Sequence, residues 1–182
     1  MTLYSVRRIE EVTVADIAEE ASMTSAAVYY HYPSKEDVLV EGLRQFAEGL
    51  TSRLGELLEE STADGGSVGQ VVASLVRWVE EHRAPGLVWF VTSPGVNESV
   101  EALRRDARLD LVESLRSVVT ANGGAGALPH KTVSAMAIVV LFEQACTSAL
   151  TEDEVYANLG PRRFAAEVIR LADLIAAGDD AT

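Results

Sequence analysis

Residues 22–36, SMTSAAVYYHYPSKE, combine side chains that suit contact with a polyanion. Small residues and hydroxyls come first, a Tyr-Tyr-His-Tyr run follows, and Pro33 and Ser34 lead into a helix start. Small residues at the N-terminal end of a helix let its backbone reach base edges in a DNA major groove. Tyrosine and histidine can donate hydrogen bonds to phosphate oxygens or contact thymine methyl groups. The segment therefore has the composition of a DNA-reading surface, with one lysine and no arginine.

Seven side chains in this segment are candidate DNA contacts. Three small or hydroxyl residues would face the bases, and three aromatic residues would face phosphates or thymine methyl groups. A lysine follows in the first turn of the next helix, where free backbone N–H groups already favour a phosphate oxygen. The candidates are Thr24, Ser25, Ala26, Tyr29, Tyr30, His31 and Lys35.

The charge of the chain limits how it can hold nucleic acid. The net charge is -13, and residues 1–46 contain four basic residues against eight acidic ones. Because non-specific affinity for DNA rests on lysine and arginine, the chain is not a protein that coats nucleic acid. A small DNA-reading module attached to an acidic body remains compatible with this balance, since polar donors and a helix terminus can supply the anchoring.

Several other classes of protein are disfavoured by the composition. Cys146 is the single cysteine, which excludes an intrachain disulfide and suits a reducing cytoplasm. The longest apolar run, residues 135–142, is too short to span a membrane. The three histidines, His31, His82 and His130, lie in different elements, and no catalytic triad, metal-ligand spacing or glycine-rich phosphate loop is present. We therefore predict a cytoplasmic protein that is not an enzyme and has no cofactor or metal.

Helical periodicity dominates the sequence, and strand signals are almost absent. We predict an all-α fold of about eight helices. In residues 13–32, Thr13 begins a capping box, residues 22–24 form a turn, and a short second helix ends at Pro33. Ser34 then starts the next helix. This layout predicts a helix-turn-helix.

Residues 13–39, TVADIAEEASMTSAAVYYHYPSKEDVL, resemble the DNA-binding signature of TetR-type (TetR/AcrR) transcriptional regulators. The resemblance implies a helix-turn-helix DNA-binding domain over residues 1–46 and a helical ligand-binding and dimerisation domain over residues 47–182. It also implies a homodimer that binds a palindromic operator in double-stranded DNA and is released, as a repressor, by a small lipophilic effector. The turn position that is usually glycine in this family is Ser22, so either Ser22 adopts a positive φ or the turn shifts slightly.

The resemblance leaves a second hypothesis open. Members of this family have a longer amphipathic first helix ahead of the signature, whereas here only residues 1–11 precede Val12. Leu3, Val6 and Ile9 are spaced for about three helical turns. The alternative is a ligand-binding dimer of the same ancestry whose DNA binding is weak or lost because the first helix is truncated.

Large apolar side chains with a few polar groups predict where a lipophilic effector binds. Glu143 interrupts an apolar helix, so its carboxylate needs a partner, either an arginine of the helix after Asn97 or a ligand group. Arg104, Arg105 and Arg108 belong either to a solvated face or to a site for an anionic ligand such as a carboxylate or an acyl-CoA. The candidate ligand residues are Trp78, His82, Trp89, Phe90, Met136, Phe142, Glu143 and Cys146.

The helix over residues 131–150 is apolar nearly all round and contains small residues that permit close packing, Ala135, Ala145 and Ser148. Residues 161–177 form a helix with a single apolar stripe. We predict that these two helices form a four-helix interface with a second copy. The alternative is a buried central helix within a monomer. The stripe residues are Phe164, Val168, Leu171 and Ile175.

Overall fold

The computed structural model describes residues 1–122 and 128–177, and the side chains of 119–122 and 128–130 lie outside the description. The described residues form helices and no strand, which confirms the all-α prediction. They include ten α-helices, two more than the predicted number of about eight. The α-helices are α1 (Thr2–Val6), α2 (Val14–Glu20), α3 (Ser25–His31), α4 (Lys35–Asp64), α5 (Val68–Glu81), α6 (Arg83–Leu87), α7 (Glu98–Asn122), α8 (Leu128–Thr151), α9 (Glu154–Leu159) and α10 (Pro161–Ala177). A 3₁₀ turn, Ile9–Glu11, follows α1, and a π-helical segment, Val88–Thr92, follows α6.

Hydroxyl side chains fix the starts of the N-terminal helices. The Thr13 hydroxyl accepts a hydrogen bond from the N–H of Asp16, and the Asp16 carboxylate accepts one from the N–H of Thr13. Thr24 and Ser34 cap α3 and α4 in the same way, because their hydroxyls accept from the N–H three residues later. Each such cap contributes about 1 kcal/mol. The helix boundaries predicted around the turn are therefore confirmed.

Helix α4 links the N-terminal helices to the rest of the chain. Its thirty residues carry one stripe of buried side chains along most of their length. The stripe begins at Leu39, close to α3, and continues to Leu57 in the body. The predicted domain boundary at residues 46/47 falls inside this continuous helix. The stripe consists of Leu39, Leu43, Phe46, Leu50, Leu54 and Leu57.

Helix α8 lies at the centre of the body, where it packs against α5, α7 and α10. Within the described part of the chain, Lys131–Thr151 is the one stretch long and apolar enough to cross a membrane. Over half of that stretch is buried inside the protein, as expected for a core helix. Ile138, Val139 and Phe142 are among its buried residues.

Helices α5 and α10 approach each other closely at Gly69. A Cβ at this position would overlap the carbonyl oxygen of Ile169, which is backbone and has little freedom to move. The N–H of Gly69 also donates to the Asp173 carboxylate at 2.6 Å. The absence of a side chain at Gly69 therefore sets the distance between the two helices.

We expect Gly69→Ala to lower the free energy of unfolding by about 1–3 kcal/mol, because the added methyl group overpacks this contact. Gly55→Ala is the matched control, since Gly55 lies in exposed α4 with open space around its Cβ position. The control should raise the free energy of unfolding by about 0.5–1 kcal/mol through helix propensity. Urea denaturation measures both. Equal effects of the two substitutions would contradict the close approach.

Candidate nucleic-acid interface and effector cavity

Helix α3 presents an outer surface that the body does not cover. Val28 is the buried residue of this helix, and its other large side chains point outward. Tyr30 is 85% exposed and Tyr29 is 57% exposed, so neither tyrosine fills the core. Thr24, Ser25, Ala26 and His31 are exposed as well. Six of the seven candidate DNA contacts therefore lie together on one accessible helix.

The turn that positions α3 has the expected backbone geometry. Ser22 has a φ of 54°, so of the two alternatives left open at this position the residue adopts the positive φ. The N–H of Met23 then donates to the carbonyl of Ala18 at 2.8 Å, which joins the turn to α2. Hydrogen bonds from the hydroxyl and N–H of Thr13, together with Arg7, lower the pKa of Asp16 to about 2. Asp16 is therefore ionised at neutral pH, which keeps the start of α2 capped.

Lys35 has a different role from the predicted phosphate contact. Its ammonium donates hydrogen bonds to three backbone carbonyls, those of Ile9 at 3.2 Å, Glu10 at 2.8 Å and Val12 at 2.8 Å. An ammonium has three N–H donors, and these bonds use all of them. The side chain therefore fastens the 3₁₀ turn to the start of α4. This contact spans more than twenty residues, so the local sequence pattern did not indicate it.

Tyr4 connects the same helix start to the body. The buried Tyr4 hydroxyl donates to the carbonyl of Lys35 at 3.0 Å, and burial raises the pKa of Tyr4 to about 12. The Thr92 hydroxyl in turn lies 3.4 Å from the carbonyl oxygen of Tyr4. Helix α1 thus contacts the first turn of α4 on one side and the π-helical segment on the other.

Trp89 and Phe90 of that segment line a cavity of about 450 Å³. Leu50 of α4, Leu111 of α7 and Glu143 of α8 contribute to its wall. This volume is within the range of small-molecule sites in proteins. Three of the eight candidate ligand residues, Trp89, Phe90 and Glu143, are therefore brought together around one cavity.

The other five candidates are not among the residues that line this cavity. Trp78 stacks between Phe46 and His82, with ring centroids 5.5 Å and 4.1 Å away, and the His82 ring is hydrogen-bonded to the carbonyl of Trp78. Phe142 lies behind Phe90 in the core. The last two are Met136, which is exposed on the outer face of α8, and Cys146, which is fully buried. The periodicity identified them as apolar but could not show which side of each helix faces the cavity.

Three arginines lie along one wall of the cavity. The sequence had left open whether they belong to a solvated face or to an anion site. Arg104, Arg105 and Arg108 of α7 all line the cavity. The guanidinium of Arg108 forms a two-point ion pair with Glu143, with Nε donating to Oε1 at 3.0 Å. Glu143 thus has an arginine partner on α7, one of the two alternatives that the sequence had left open. The spacing 104, 105 and 108 on one helix was the available signal.

A second cavity, of about 390 Å³, opens between α5, α9 and α10. Its lining is mostly apolar and includes Val76, Phe164 and Val168. The Tyr156 hydroxyl donates to Glu80 at 2.8 Å at its edge. None of the predicted ligand residues lines this cavity, and it lies away from the π-helical segment that contacts α1.

The predicted interface helices expose an apolar surface, but not the one predicted. Ala135, Ala145 and Ser148 are buried within the chain, and Val168 packs inward with Phe164 and Ile175 beside the core. Leu171 of the predicted stripe is exposed, and the other apolar side chains that point outward, at spacings of three, four and seven residues, were not predicted. This outer face consists of Val133, Met136, Ala137 and Val140 on α8 and Leu171 and Leu174 on α10.

A helix-turn-helix on a helical body with a surface cavity is an arrangement typical of bacterial DNA-binding regulators. Residues 2–41 match the family model "Bacterial regulatory proteins, tetR family". The repressor KstR2 of Mycolicibacterium smegmatis is 36% identical over 62 residues, which cover 34% of this chain and 30% of that protein. The nucleoid occlusion factor SlmA of Vibrio vulnificus is 31% identical over 103 residues, 56% of this chain and 51% of that protein. The alignments thus span a third to a half of these relatives.

Similarity to solved structures extends over nearly the whole chain. The regulator FadR of Bacillus subtilis, solved in complex with stearoyl-CoA, aligns over 94% of this chain and 92% of its own, with a TM-score of 0.72 and 13% identity. A TetR regulator from Legionella pneumophila aligns over 91% of each chain, with a TM-score of 0.66 and 18% identity. Residues 2–41 therefore match the TetR-family DNA-binding model, and the chain as a whole has the fold of these regulators.

We expect Lys35→Met to loosen the N-terminal turn, because three backbone carbonyls lose their shared donor. Loss of hydrogen bonds to a charged group costs about 1–3 kcal/mol, so amide exchange around residues 9–12 should accelerate about tenfold or more. Arg8→Met is the control, since its guanidinium is exposed and lies 3.9 Å or more from its carboxylate partners. Hydrogen-exchange mass spectrometry reports the rates. Unchanged exchange in Lys35→Met would exclude the fastening role.

Proposed function

We propose that this protein is a cytoplasmic, homodimeric transcriptional regulator, a repressor that a small lipophilic effector releases from a palindromic DNA operator. The observation that carries the proposal is the exposed surface of α3. Its hydroxyl and aromatic side chains have no packing role, and three capping residues and one positive-φ turn hold the helix in place. Exposure of Tyr30 and Tyr29 without a functional reason would be unfavourable, since large aromatic side chains are usually buried at least in part.

The effector would act through the cavity beside the π-helical segment. Trp89 and Phe90 line the cavity, and Thr92 of the same segment contacts Tyr4 of α1. Tyr4 holds the carbonyl of Lys35 in the first turn of α4, directly after the recognition helix. A ligand that moves the segment would move this turn and change the separation of the two α3 helices. They would then no longer match half-sites about one helical turn (~34 Å) apart.

The exposed face of α8 and α10 supports the homodimer. Its apolar side chains are at helical spacing on two neighbouring helices, and water contact with them is unfavourable. A two-fold axis places the same face on both copies, which gives a four-helix contact. Glu167 and Arg170 at its edge pair with each other at 2.9 Å, so their charges are compensated within one chain.

A second candidate function follows from the charges of the N-terminal module. Its single lysine is engaged by backbone carbonyls, and Arg7 is paired with Asp16 at 3.0 Å. Arg8 alone is strongly exposed, and it lies within 4.0 Å of two glutamates. Few cations are therefore free for phosphates. This observation favours a ligand-binding dimer of the same ancestry with weak or lost DNA affinity.

Replacing both tyrosines by alanine should weaken operator binding about tenfold or more, because two hydrogen-bond donors of the α3 surface are lost. Fluorescence anisotropy with duplex DNA from the upstream region of the gene measures the affinity at two salt concentrations. Tyr156→Phe in the body is the control and should bind as the unchanged protein does. Because few cations contact phosphates, the affinity should fall only weakly with salt.

The outcomes separate the two candidate functions. Specific binding that Tyr29→Ala/Tyr30→Ala removes supports the regulator. Absence of specific binding even at low salt rejects the regulator and leaves the ligand-binding dimer. Specific binding that persists unchanged in the double variant would show that α3 is not the reading surface.

Val140→Glu should convert the dimer to a monomer, because it places a charge at the centre of the apolar face of α8. Leu109→Glu is the matched control, since Leu109 of α7 is 62% exposed and Val140 is 57% exposed. Sedimentation velocity gives the mass of each species. A dimer that tolerates Val140→Glu, or one that Leu109→Glu dissociates equally, would place the interface elsewhere.

A further inference from the structure

The effector cavity contains a cation that its surroundings neutralise only in part. The Arg104 side chain is 18% exposed, and its nearest carboxylate, that of Glu101, lies 3.9 Å away. The Glu101 carboxylate accepts a shorter hydrogen bond, at 2.7 Å, from the N–H of Gly95. Burial lowers the pKa of Arg104, which reflects the cost of keeping its charge away from water. A partly buried guanidinium whose one ion pair is long is stabilised when a further anion approaches it.

The same arginine is held in place for binding. Its Nη1 donates to the carbonyl of Trp89, and its guanidinium carbon lies 5.2 Å from the centre of the Trp89 ring. This hydrogen bond and the cation–π contact restrain the position of the guanidinium. Arginine has five N–H donors, so donors remain after the bond to Trp89. Arg104 therefore presents an oriented fork of donors at the wall of a cavity whose other wall is aromatic.

Two further arginines extend this positive region along α7. Arg105 is exposed at the cavity and forms no ion pair with any residue in the part of the chain that the structure describes. Arg108 binds the Glu143 carboxylate through two hydrogen bonds, so its charge is compensated within the chain. With Glu101 included, the cavity holds three cations and two anions. This local excess contrasts with the chain as a whole, whose net charge is -13.

Resting on the proposed function, the geometry points to the chemical class of the effector. We infer that it is an amphipathic anion, with an apolar body packed against Trp89 and Phe90 and an anionic oxygen group bound by Arg104 and Arg105. A carboxylate and the phosphates of an acyl-CoA share this chemistry. Burial of the apolar body contributes to the binding free energy. The arginines make an anion bind more tightly than a neutral lipid of the same length.

The test compares three ten-carbon probes by isothermal titration calorimetry: decanoate, decanoyl-CoA and the neutral 1-decanol. At least one of the two anions should bind about tenfold or more tightly than the alcohol. Arg105→Gln should weaken that binding about tenfold, the loss expected for one charged hydrogen bond. Arg116→Gln is the matched control, because Arg116 lies on the same helix, pairs with Glu113 and does not line the cavity. Binding of decanoate identifies the carboxylate, and binding of decanoyl-CoA alone identifies the phosphates.

Equal affinity for 1-decanol, no binding by either anion, or equal behaviour of Arg105→Gln and Arg116→Gln would each overturn the inference. Operator binding, measured without any probe, tests the proposed function separately. A chain that binds the anions but no operator keeps the anion site and loses the repressor function. A chain that binds its operator and responds to 1-decanol as strongly as to the anions keeps the repressor function and loses the anion preference.

Discussion

The buried stripe of α4 is the feature on which the rest of the structure depends. Thirty residues of α-helix span about 45 Å, so one rigid element reaches from the recognition helix deep into the body. Its first turn receives the Tyr4 hydroxyl, and its middle supplies Phe46 and Leu50 to the aromatic cluster and the cavity. Helix α4 therefore belongs both to the N-terminal module and to the wall of the cavity. A change at one end cannot be absorbed in a flexible linker, because the described chain has none between them.

Charge is distributed unevenly between the two ends of this helix. The N-terminal module has few cations, and contacts inside the protein engage Lys35 and Arg7. The body concentrates arginines along one side of α7, where they face a cavity. Under the proposed function, operator binding would rest on hydroxyl and aromatic donors and on shape, which give weak salt dependence. Ligand binding would rest on guanidinium groups in a partly desolvated site, where charged hydrogen bonds are stronger than in water.

Local sequence signals were sufficient for the helix-turn-helix and insufficient for the site. Thr13, Ser22 and Ser34 act on neighbours within five residues, so their roles could be predicted from spacing. Lys35 binds carbonyls 23 to 26 residues away, and this contact depends on how the chain returns on itself. Which side chains of α8 and α10 face outward was predicted only in part, for a related reason. An all-round apolar helix does not reveal which side meets its own core, and Met136 and Cys146 were therefore placed at a cavity that neither lines. That Arg104 and Arg108 line the cavity follows from how α7 packs against α8, which the sequence pattern does not show.

The coupling between cavity and DNA can be bounded from the contacts that carry it. A ligand shifts a conformational equilibrium only by its differential affinity for the two states. Under the proposed function, the path from Thr92 through Tyr4 to Lys35 contains two hydrogen bonds. A hydrogen bond present in only one of the two states would contribute about 1 kcal/mol to the coupling, and typical allosteric couplings are about 1–3 kcal/mol. A ligand that stays at the arginine wall and leaves the π-helical segment unmoved would bind without releasing DNA. Effector strength should therefore depend on how the apolar body displaces Trp89 and Phe90, and binding affinity on how the anionic group meets Arg104.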